Sequence, residues 1–138
     1  MRKHVLVVDD DIYIAELLRL ILKRAGFDVT MLFHGVDVIN YLGNEAPDII
    51  LLDMSLPGYD GLEILKWLRQ KLGDENTPVI MLSAHATAQS KMLAQELGAN
   101  DYVTKPFNLH ALTERIRVLT KPALSSLSPD FTGQTAQI

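Results

Sequence analysis

Four short, mainly apolar runs mark the chain, and a polar or charged residue follows each of them. The runs cover residues 5–8, 49–52, 79–82 and 102–104, and the residues that follow them are Asp9, Asp53, Ser83 and Lys105. Continuous apolar runs of this length are typical of parallel strands that are buried on both faces. The carboxyl ends of parallel strands meet at one edge of a sheet, where open α/β sheets bind ligands. We therefore expect these four side chains, with Asp10 beside Asp9, to lie together.

The segments between the runs carry apolar residues at helical spacing. A first helix over 11–26 that stops at Gly26 is predicted by the positions Ile14, Leu17, Leu18, Ile21 and Ala25. The same reasoning predicts helices over 35–42, 62–72, 88–97 and 109–119, and a second strand over 27–33. A strand followed by a helix is thus repeated five times. Right-handed crossovers with helices on both faces predict an α/β fold with a doubly wound, five-stranded parallel sheet.

The bulk composition is that of one globular domain. The chain has 138 residues, of which 48% are hydrophobic and 22% are charged, and this is enough apolar material for a single core. Residues 1–120 form the predicted domain. From Lys121 to Ile138 the composition changes, with Pro122 and Pro129, to that of a flexible tail or linker.

Charge and the length of the apolar runs limit the partners. A formal net charge of −4, with no concentrated Lys/Arg face, argues against direct binding of nucleic acid. No apolar stretch approaches the roughly 20 residues of a membrane-spanning helix, so we expect no membrane insertion and a cytoplasmic location. The chain has no Cys, which rules out disulfides and thiol chemistry and is compatible with that compartment.

The predicted cluster of Asp9, Asp10 and Asp53 indicates phosphoryl chemistry. Neighbouring carboxylates repel one another, and a divalent cation is their natural neutraliser. Oxygen ligands of this kind suit Mg²⁺, which binds through few carboxylates and favours phosphate oxygens. A carboxylate beside that ion can act as a nucleophile toward phosphorus. Lys105 would then neutralise one phosphoryl oxygen, and the Ser83 hydroxyl would donate to another.

Four sequence motifs make this interpretation specific. They are VLVVDDD at 5–11, LLDMSLPGYDG at 51–61, VIMLSA at 79–84 and GANDYVTKPF at 98–107. Together and in this order they resemble the receiver (CheY-like) domain of bacterial two-component response regulators over residues 3–120. The resemblance implies the flavodoxin-like strand order 2-1-3-4-5. It also implies a signalling switch that is not an enzyme, because it catalyses only its own aspartyl phosphorylation and dephosphorylation.

The resemblance assigns a phosphorylation site and its metal. It implies that Asp53 accepts a phosphoryl group from a phosphohistidine of a sensor histidine kinase or a phosphotransfer protein. It further implies that Mg²⁺ is the cofactor. The ion would be held by Asp9, Asp10 and Asp53 together with the backbone carbonyl of Ser55.

The resemblance also assigns a switch. Ser83 corresponds to the switch hydroxyl and Tyr102 to the switch aromatic. Lys105 corresponds to the phosphate-binding lysine, which precedes a cis-prolyl bond. In this family the residues at the positions of Ser55 and His85 help to set the rate of dephosphorylation.

The segment QELGANDYVTKPF at 95–107 resembles the branch of the family that carries a winged-helix DNA-binding domain (OmpR/PhoB type). Members of that branch dimerise through the fourth helix, the fifth strand and the fifth helix. Lys91, Asp101 and Arg115 match charged positions of such dimers and imply a homodimer through this face. Ala111 stands where an acidic partner for Lys91 is expected, so we expect a weak dimer.

Two alternative functions remain open on the sequence. Asp9 and Asp11 form an Asp-x-Asp pair after the first strand, as in phosphatases of the haloacid dehalogenase type. However, Tyr13 stands where Thr or Val is usual, and no downstream acidic pair completes such a site. Asp11 is better interpreted as the N-cap of the first helix. The other alternative is a receiver-like docking module that is not phosphorylated.

Overall fold

A five-stranded parallel sheet forms the centre of the computed structural model, which describes residues 2–121. Its strands are β1 (His4–Val8), β2 (Asp28–Leu32), β3 (Ile49–Asp53), β4 (Val79–Ser83) and β5 (Asp101–Thr104). They lie in the order β2-β1-β3-β4-β5, and every adjacent pair is parallel. The predicted fold and strand order are therefore confirmed. The predicted tail lies outside the described residues, apart from Lys121.

Helices connect the strands and cover both faces of the sheet. They are α1 (Ile12–Arg24), α2 (Gly35–Asn44), α3 (Gly61–Lys66), α4 (Ala88–Glu96) and α5 (Leu109–Thr120). Each predicted helix is present, and the largest difference is in the third. There α3 ends at Lys66 and the chain continues as a π-helical segment, Trp67–Lys71. None of the helices in residues 2–121 combines the length and the apolar composition that a bilayer crossing requires.

The strand side chains alternate between two apolar cores. Val5 and Val7 pack with α1 and α5 on one face, whereas Leu6 and Val8 pack with α2, α3 and α4 on the other. The side chains of β1, β3 and β4 are buried on both faces with few exceptions, which explains their continuous apolar sequences. These central strands hold the residues at their carboxyl ends in fixed positions.

Side-chain caps begin the two helices that follow β1 and β3. Asp11 accepts hydrogen bonds from the backbone N–H groups of Tyr13 and Ile14, at 3.0 and 3.3 Å. Asp11 is therefore the N-cap of α1, as predicted. Asp60 and Glu63 form a capping box at the start of α3. Because both helices have a defined start, the short loops that lead into them are positioned as well.

Gly61 allows the first turn of α3 to approach the end of β3 closely. Its N–H donates to the Met54 carbonyl oxygen at 2.7 Å. A Cβ atom at this position would lie 2.2 Å from the Asp53 carbonyl oxygen and 2.9 Å from the Met54 Cα. Both are backbone atoms, so no rotamer change can make room. A side chain here would force α3 away from the loop that carries Asp53.

We expect Gly61→Ala to lower the free energy of unfolding by about 1–3 kcal/mol, because it overpacks this contact. Gly43→Ala in α2 is the matched control, since a Cβ there meets nothing within 4 Å. The control should be neutral or should stabilise the protein by up to about 1 kcal/mol through its better helix propensity. Urea denaturation of both variants makes the measurement. Equal stabilities of the two variants would contradict the prediction.

Candidate functional site

The carboxyl ends of the strands open onto one cleft at the edge of the sheet. The cleft has a volume of about 580 Å³, and its lining includes Asp10, Asp53, Ser83 and Lys105. Asp9 lies next to it and is buried, within reach of the Lys105 ammonium group. The structure therefore brings together the residues that the strand ends predicted to meet.

Lys105 bridges the two buried carboxylates. Its Nζ atom lies 2.8 Å from Asp9 Oδ2 and 3.3 Å from Asp53 Oδ2. The side chain begins just after β5 and reaches across the end of β4, which separates β5 from β3. Adjacent strands lie about 4.8 Å apart, so only a long side chain can span the two strand spacings from β5 to β3. The contact thus ties the end of the edge strand to the centre of the sheet.

Burial and charge shift the titration of this cluster. Burial, and after it the charge of Asp9, raise the pKa of Asp53 to about 6, although the Lys105 ammonium opposes the shift. For Lys105, burial lowers the pKa, but the Asp9 and Asp53 carboxylates outweigh it and hold the pKa above its usual value. At neutral pH, Lys105 is therefore charged and most Asp53 side chains are ionised.

Asp9, Asp10 and Asp53 form an all-oxygen group that suits a divalent cation. One carboxylate oxygen from each lies within 4.8 Å of the others. Asp9 Oδ1 accepts a hydrogen bond from the Asp11 N–H at 2.9 Å. Asp9 Oδ2 is buried, and among the described residues its contact is the Lys105 ammonium at 2.8 Å, with no other hydrogen-bond partner. A buried oxygen with spare acceptor capacity, beside two more carboxylates, fits Mg²⁺.

The loop after β3 brings Ser55 to the same cleft. The Ser55 N–H donates to Asp53 Oδ1 at 3.3 Å, and Ser55 pairs with Asp60 in a single antiparallel bridge. Ser55 itself is exposed and lines the cleft. The loop backbone is thus held against the Asp53 carboxylate, and the role of the Ser55 carbonyl as a metal ligand stays a prediction.

Ser83 and His85 close a small hydrogen-bonded loop after β4. The Ser83 hydroxyl donates to the His85 carbonyl oxygen at 3.0 Å, and the His85 N–H donates back to Ser83 Oγ at 3.0 Å. Both residues line the cleft, with Ser83 buried and His85 exposed. The Ser83 hydroxyl is therefore next to the Asp53 site but is engaged with the loop backbone.

Tyr102 is completely buried, with its hydroxyl near the start of α4. That hydroxyl lies 3.0 Å from Ser90 Oγ and 3.4 Å from the His85 carbonyl oxygen. Ser90 was not predicted from the sequence, because its contact with Tyr102 joins residues on two separate elements. The only local signal was Thr87 three positions earlier, which predicts a helix start.

The residues predicted for a dimer face lie on α4, β5 and α5. Lys91 is half-buried on α4, and Asp101 is buried at the start of β5. The Arg115 Nε donates to Asp101 Oδ2 at 2.8 Å within the same chain. The structure thus brings Asp101 and Arg115 together in one molecule, a pairing that the sequence did not indicate. Their use between molecules remains a prediction.

Comparison with known proteins identifies this arrangement. The family model described as response regulator receiver domain matches residues 5–117. The chain belongs to the response regulator receiver family. Among solved structures, the receiver domain of Francisella response regulator 1452 is 35% identical with a TM-score of 0.81. The match covers 86% of this chain and 97% of that chain.

Two further matches are structures of the response regulator DrrB. Thermotoga maritima DrrB, an OmpR/PhoB homolog, is 35% identical with a TM-score of 0.74, covering 85% of this chain and 52% of that one. The BeF3-activated DrrB receiver domain is 34% identical with a TM-score of 0.77, covering 86% and 97%. The predicted resemblance is confirmed. The peptide bond between Lys105 and Pro106 is cis, as the resemblance implied.

As a receiver domain, this chain is a module of phosphorylation-dependent signalling in two-component systems. Receiver domains typically bind Mg²⁺ at an acidic pocket, and Asp9, Asp10 and Asp53 form such a pocket here. The phosphatase alternative loses its support, because Asp11, the second acid of its Asp-x-Asp pair, caps α1.

We expect Asp53→Asn to stabilise the receiver domain in EDTA at pH 7.5, by roughly 1–3 kcal/mol. The pKa of Asp53 is raised in the folded state, so the folded protein binds a proton on the Asp53 carboxylate more tightly than the unfolded chain does. The ionised carboxylate therefore costs stability, and the cost develops as the pH rises from about 4 to about 6. Removing the carboxylate removes that cost.

The measurement is urea unfolding from pH 4 to pH 7.5. The gain in the free energy of unfolding from Asp53→Asn should shrink toward zero at the acidic end. Asp37→Asn, which changes an exposed acid on α2, is the control and should give no such dependence. A stabilisation by Asp53→Asn that is the same at both ends of the range would contradict the assigned cause.

Proposed function

We propose that this receiver domain is a cytoplasmic switch in which Asp53 accepts a phosphoryl group from a partner's phosphohistidine. The partner is a sensor histidine kinase or a phosphotransfer protein. The observation that carries the proposal is the position of the Asp53 carboxylate. It lines an open cleft, 3.3 Å from the Lys105 ammonium and beside Asp9 and Asp10.

The chemistry follows from that position. An Asp53 carboxylate oxygen attacks phosphorus, the P–N bond to the partner's imidazole breaks, and the imidazole leaves with the bonding electron pair. The Lys105 ammonium is placed to bind a phosphoryl oxygen, so catalysis is mainly electrostatic positioning. A pKa of about 6 leaves Asp53 largely ionised at neutral pH, as a nucleophile must be.

Asp9, Asp10, Asp53 and the Ser55 carbonyl would hold Mg²⁺. When bound, the ion supplies positive charge that neutralises both the carboxylate cluster and the incoming phosphoryl oxygens. The all-oxygen ligand set and the spare acceptor capacity of Asp9 support this assignment.

Phosphorylation would act on the switch through Ser83. A phosphoryl group adds roughly two negative charges at Asp53, which attract the Ser83 hydroxyl away from the His85 carbonyl. The Tyr102 hydroxyl can then donate to that carbonyl in place of Ser83. The face of α4, β5 and α5 shifts between two conformations as a result. Ser55 and His85, both exposed at the cleft, are placed to influence access of the hydrolytic water.

The comparison with DrrB supports this proposal. The DrrB receiver domain, which is 34% identical to this chain, is described as BeF3-activated. Beryllofluoride on an aspartate imitates a phosphoryl group, so the same adduct at Asp53 provides a stable stand-in for the phosphorylated state.

The direct test is acetyl phosphate labelling followed by intact-mass measurement. We expect one phosphoryl group on the parent chain and none on Asp53→Asn, because the amide is not a nucleophile. Asp11→Asn is the matched control, since Asp11 lines the same cleft and Asn also caps helices well. The control should be labelled normally. Label that persists on Asp53→Asn would reject the assignment, and an unlabelled parent chain would favour the docking module.

The metal site gives a second prediction. Mg²⁺ should raise Tm in a concentration-dependent way, with about 2.7 kcal/mol of added stability at a hundredfold excess over Kd. Asp10→Ala should reduce this response most, because Asp10 is the exposed ligand of the cluster, whereas Asp9 is buried against Lys105. Asp37→Ala, on α2, should respond like the parent chain. A Tm that is unchanged in millimolar Mg²⁺ would exclude the site.

We further propose that phosphorylation promotes a weak homodimer through α4, β5 and α5. Two of these elements carry exposed apolar side chains, Met92 and Leu93 on α4 and Val118 on α5. Arg115 is a poor place to test the dimer. Reversing its charge would set a like charge against Asp101 in the same molecule.

Sedimentation of the beryllofluoride adduct tests the dimer. We expect a larger sedimenting mass than for the untreated chain, and Met92→Glu should prevent the increase. Ala111→Glu supplies the acid that is missing opposite Lys91 and should lower the dimer Kd by about two- to fivefold. An adduct that stays monomeric at high concentration would instead favour signalling through a separate partner protein.

A further inference from the structure

Ser90 joins the first turn of α4 to the switch aromatic. It is the N3 residue of α4, and its side chain completes a capping box with Thr87. The same Oγ atom lies 3.0 Å from the Tyr102 hydroxyl, on β5. One side chain thus participates in the start of a helix and in the position of a buried ring.

The Ser90 hydroxyl contacts Thr87 as well as Tyr102. A serine hydroxyl has one donor and two acceptor positions. The Thr87 carbonyl oxygen is available to the Ser90 donor at 3.1 Å, and the Thr87 N–H donates to Ser90 Oγ at 3.2 Å. The Thr87 hydroxyl also lies 3.0 Å from Ser90 Oγ, and either hydroxyl can be the donor in the contact between Ser90 and Tyr102.

The Tyr102 hydroxyl has two hydrogen-bonding neighbours at different distances. Ser90 Oγ is at 3.0 Å and the His85 carbonyl oxygen is at 3.4 Å. The His85 carbonyl already accepts from the Ser83 hydroxyl at 3.0 Å. When Ser83 turns toward a phosphoryl group, that carbonyl loses its first donor, and the Tyr102 hydroxyl is the donor that lies beside it.

We propose that Ser90 is a positioning residue of the switch, which holds the Tyr102 ring inward before phosphorylation and so favours acceptance of the phosphoryl group. The inference rests on the proposed function of Asp53. Because the ring is already inside, binding at Asp53 does not have to supply the free energy of moving it. Loss of the Ser90 hydroxyl lets the ring leave, and the site then has lower affinity for a phosphoryl mimic.

The test is a double-mutant cycle on the affinity for beryllofluoride in the presence of Mg²⁺, read as the fraction of adduct by fluorine NMR. Ser90→Ala should weaken this affinity about two- to tenfold, the worth of one hydrogen bond. In the Tyr102→Phe background the same change should have no effect. Ser90→Thr, which keeps the hydroxyl, should restore the parent affinity.

The cycle separates switching from helix capping. If Ser90 acts only as a helix cap, Ser90→Ala lowers stability equally in both backgrounds. It then changes the adduct affinity by the same factor whether residue 102 is Tyr or Phe, and this result would overturn the inference. If the parent chain forms no adduct at all, the proposed function fails and the inference fails with it. If the adduct forms with equal affinity in the parent chain and Ser90→Ala, only the inference fails. Thermal melts verify that each variant is folded.

Discussion

Lys105 holds together two buried carboxylates that would otherwise repel each other. Its ammonium lies between Asp9 and Asp53, at 2.8 and 3.3 Å, at the edge of a sheet whose interior is apolar. Separating either carboxylate from this cation would leave a buried charge uncompensated, which costs several kcal/mol. The parallel strands, the caps of α1 and α3 and the close approach of Gly61 all serve to keep these three side chains in place.

The fold and the centre of the site could be predicted from the sequence because both depend on local patterns. Apolar runs that end in Asp9, Asp53 and Ser83 imply a common edge, since parallel strands end on the same side. The capping role of Asp11 was also predictable, because it depends only on the residues that follow it in the chain. The family motifs then supplied the individual roles.

Other features depend on distances between elements, or on backbone detail, and the sequence did not reveal them. The contact between Asp101 and Arg115 within the chain depends on how α5 packs, and their contact with a partner stays a prediction. Ser90 and Tyr102 lie on different elements, and only packing brings their hydroxyl groups together. The π-helical segment at Trp67–Lys71 keeps the apolar stripe almost unchanged, so periodicity cannot distinguish it from an α-helix.

The lysine that neutralises the site follows the shortest strand of the sheet. β5 has four residues and borders only β4, so it lies at the edge. Its outer edge pairs with no further strand among the described residues, so its backbone is held by hydrogen bonds to β4 alone. A displacement of β5 would withdraw Lys105 from Asp9 and Asp53 even with β1 and β3 in place. The electrostatic integrity of the site therefore depends on an edge strand as well as on the centre of the sheet.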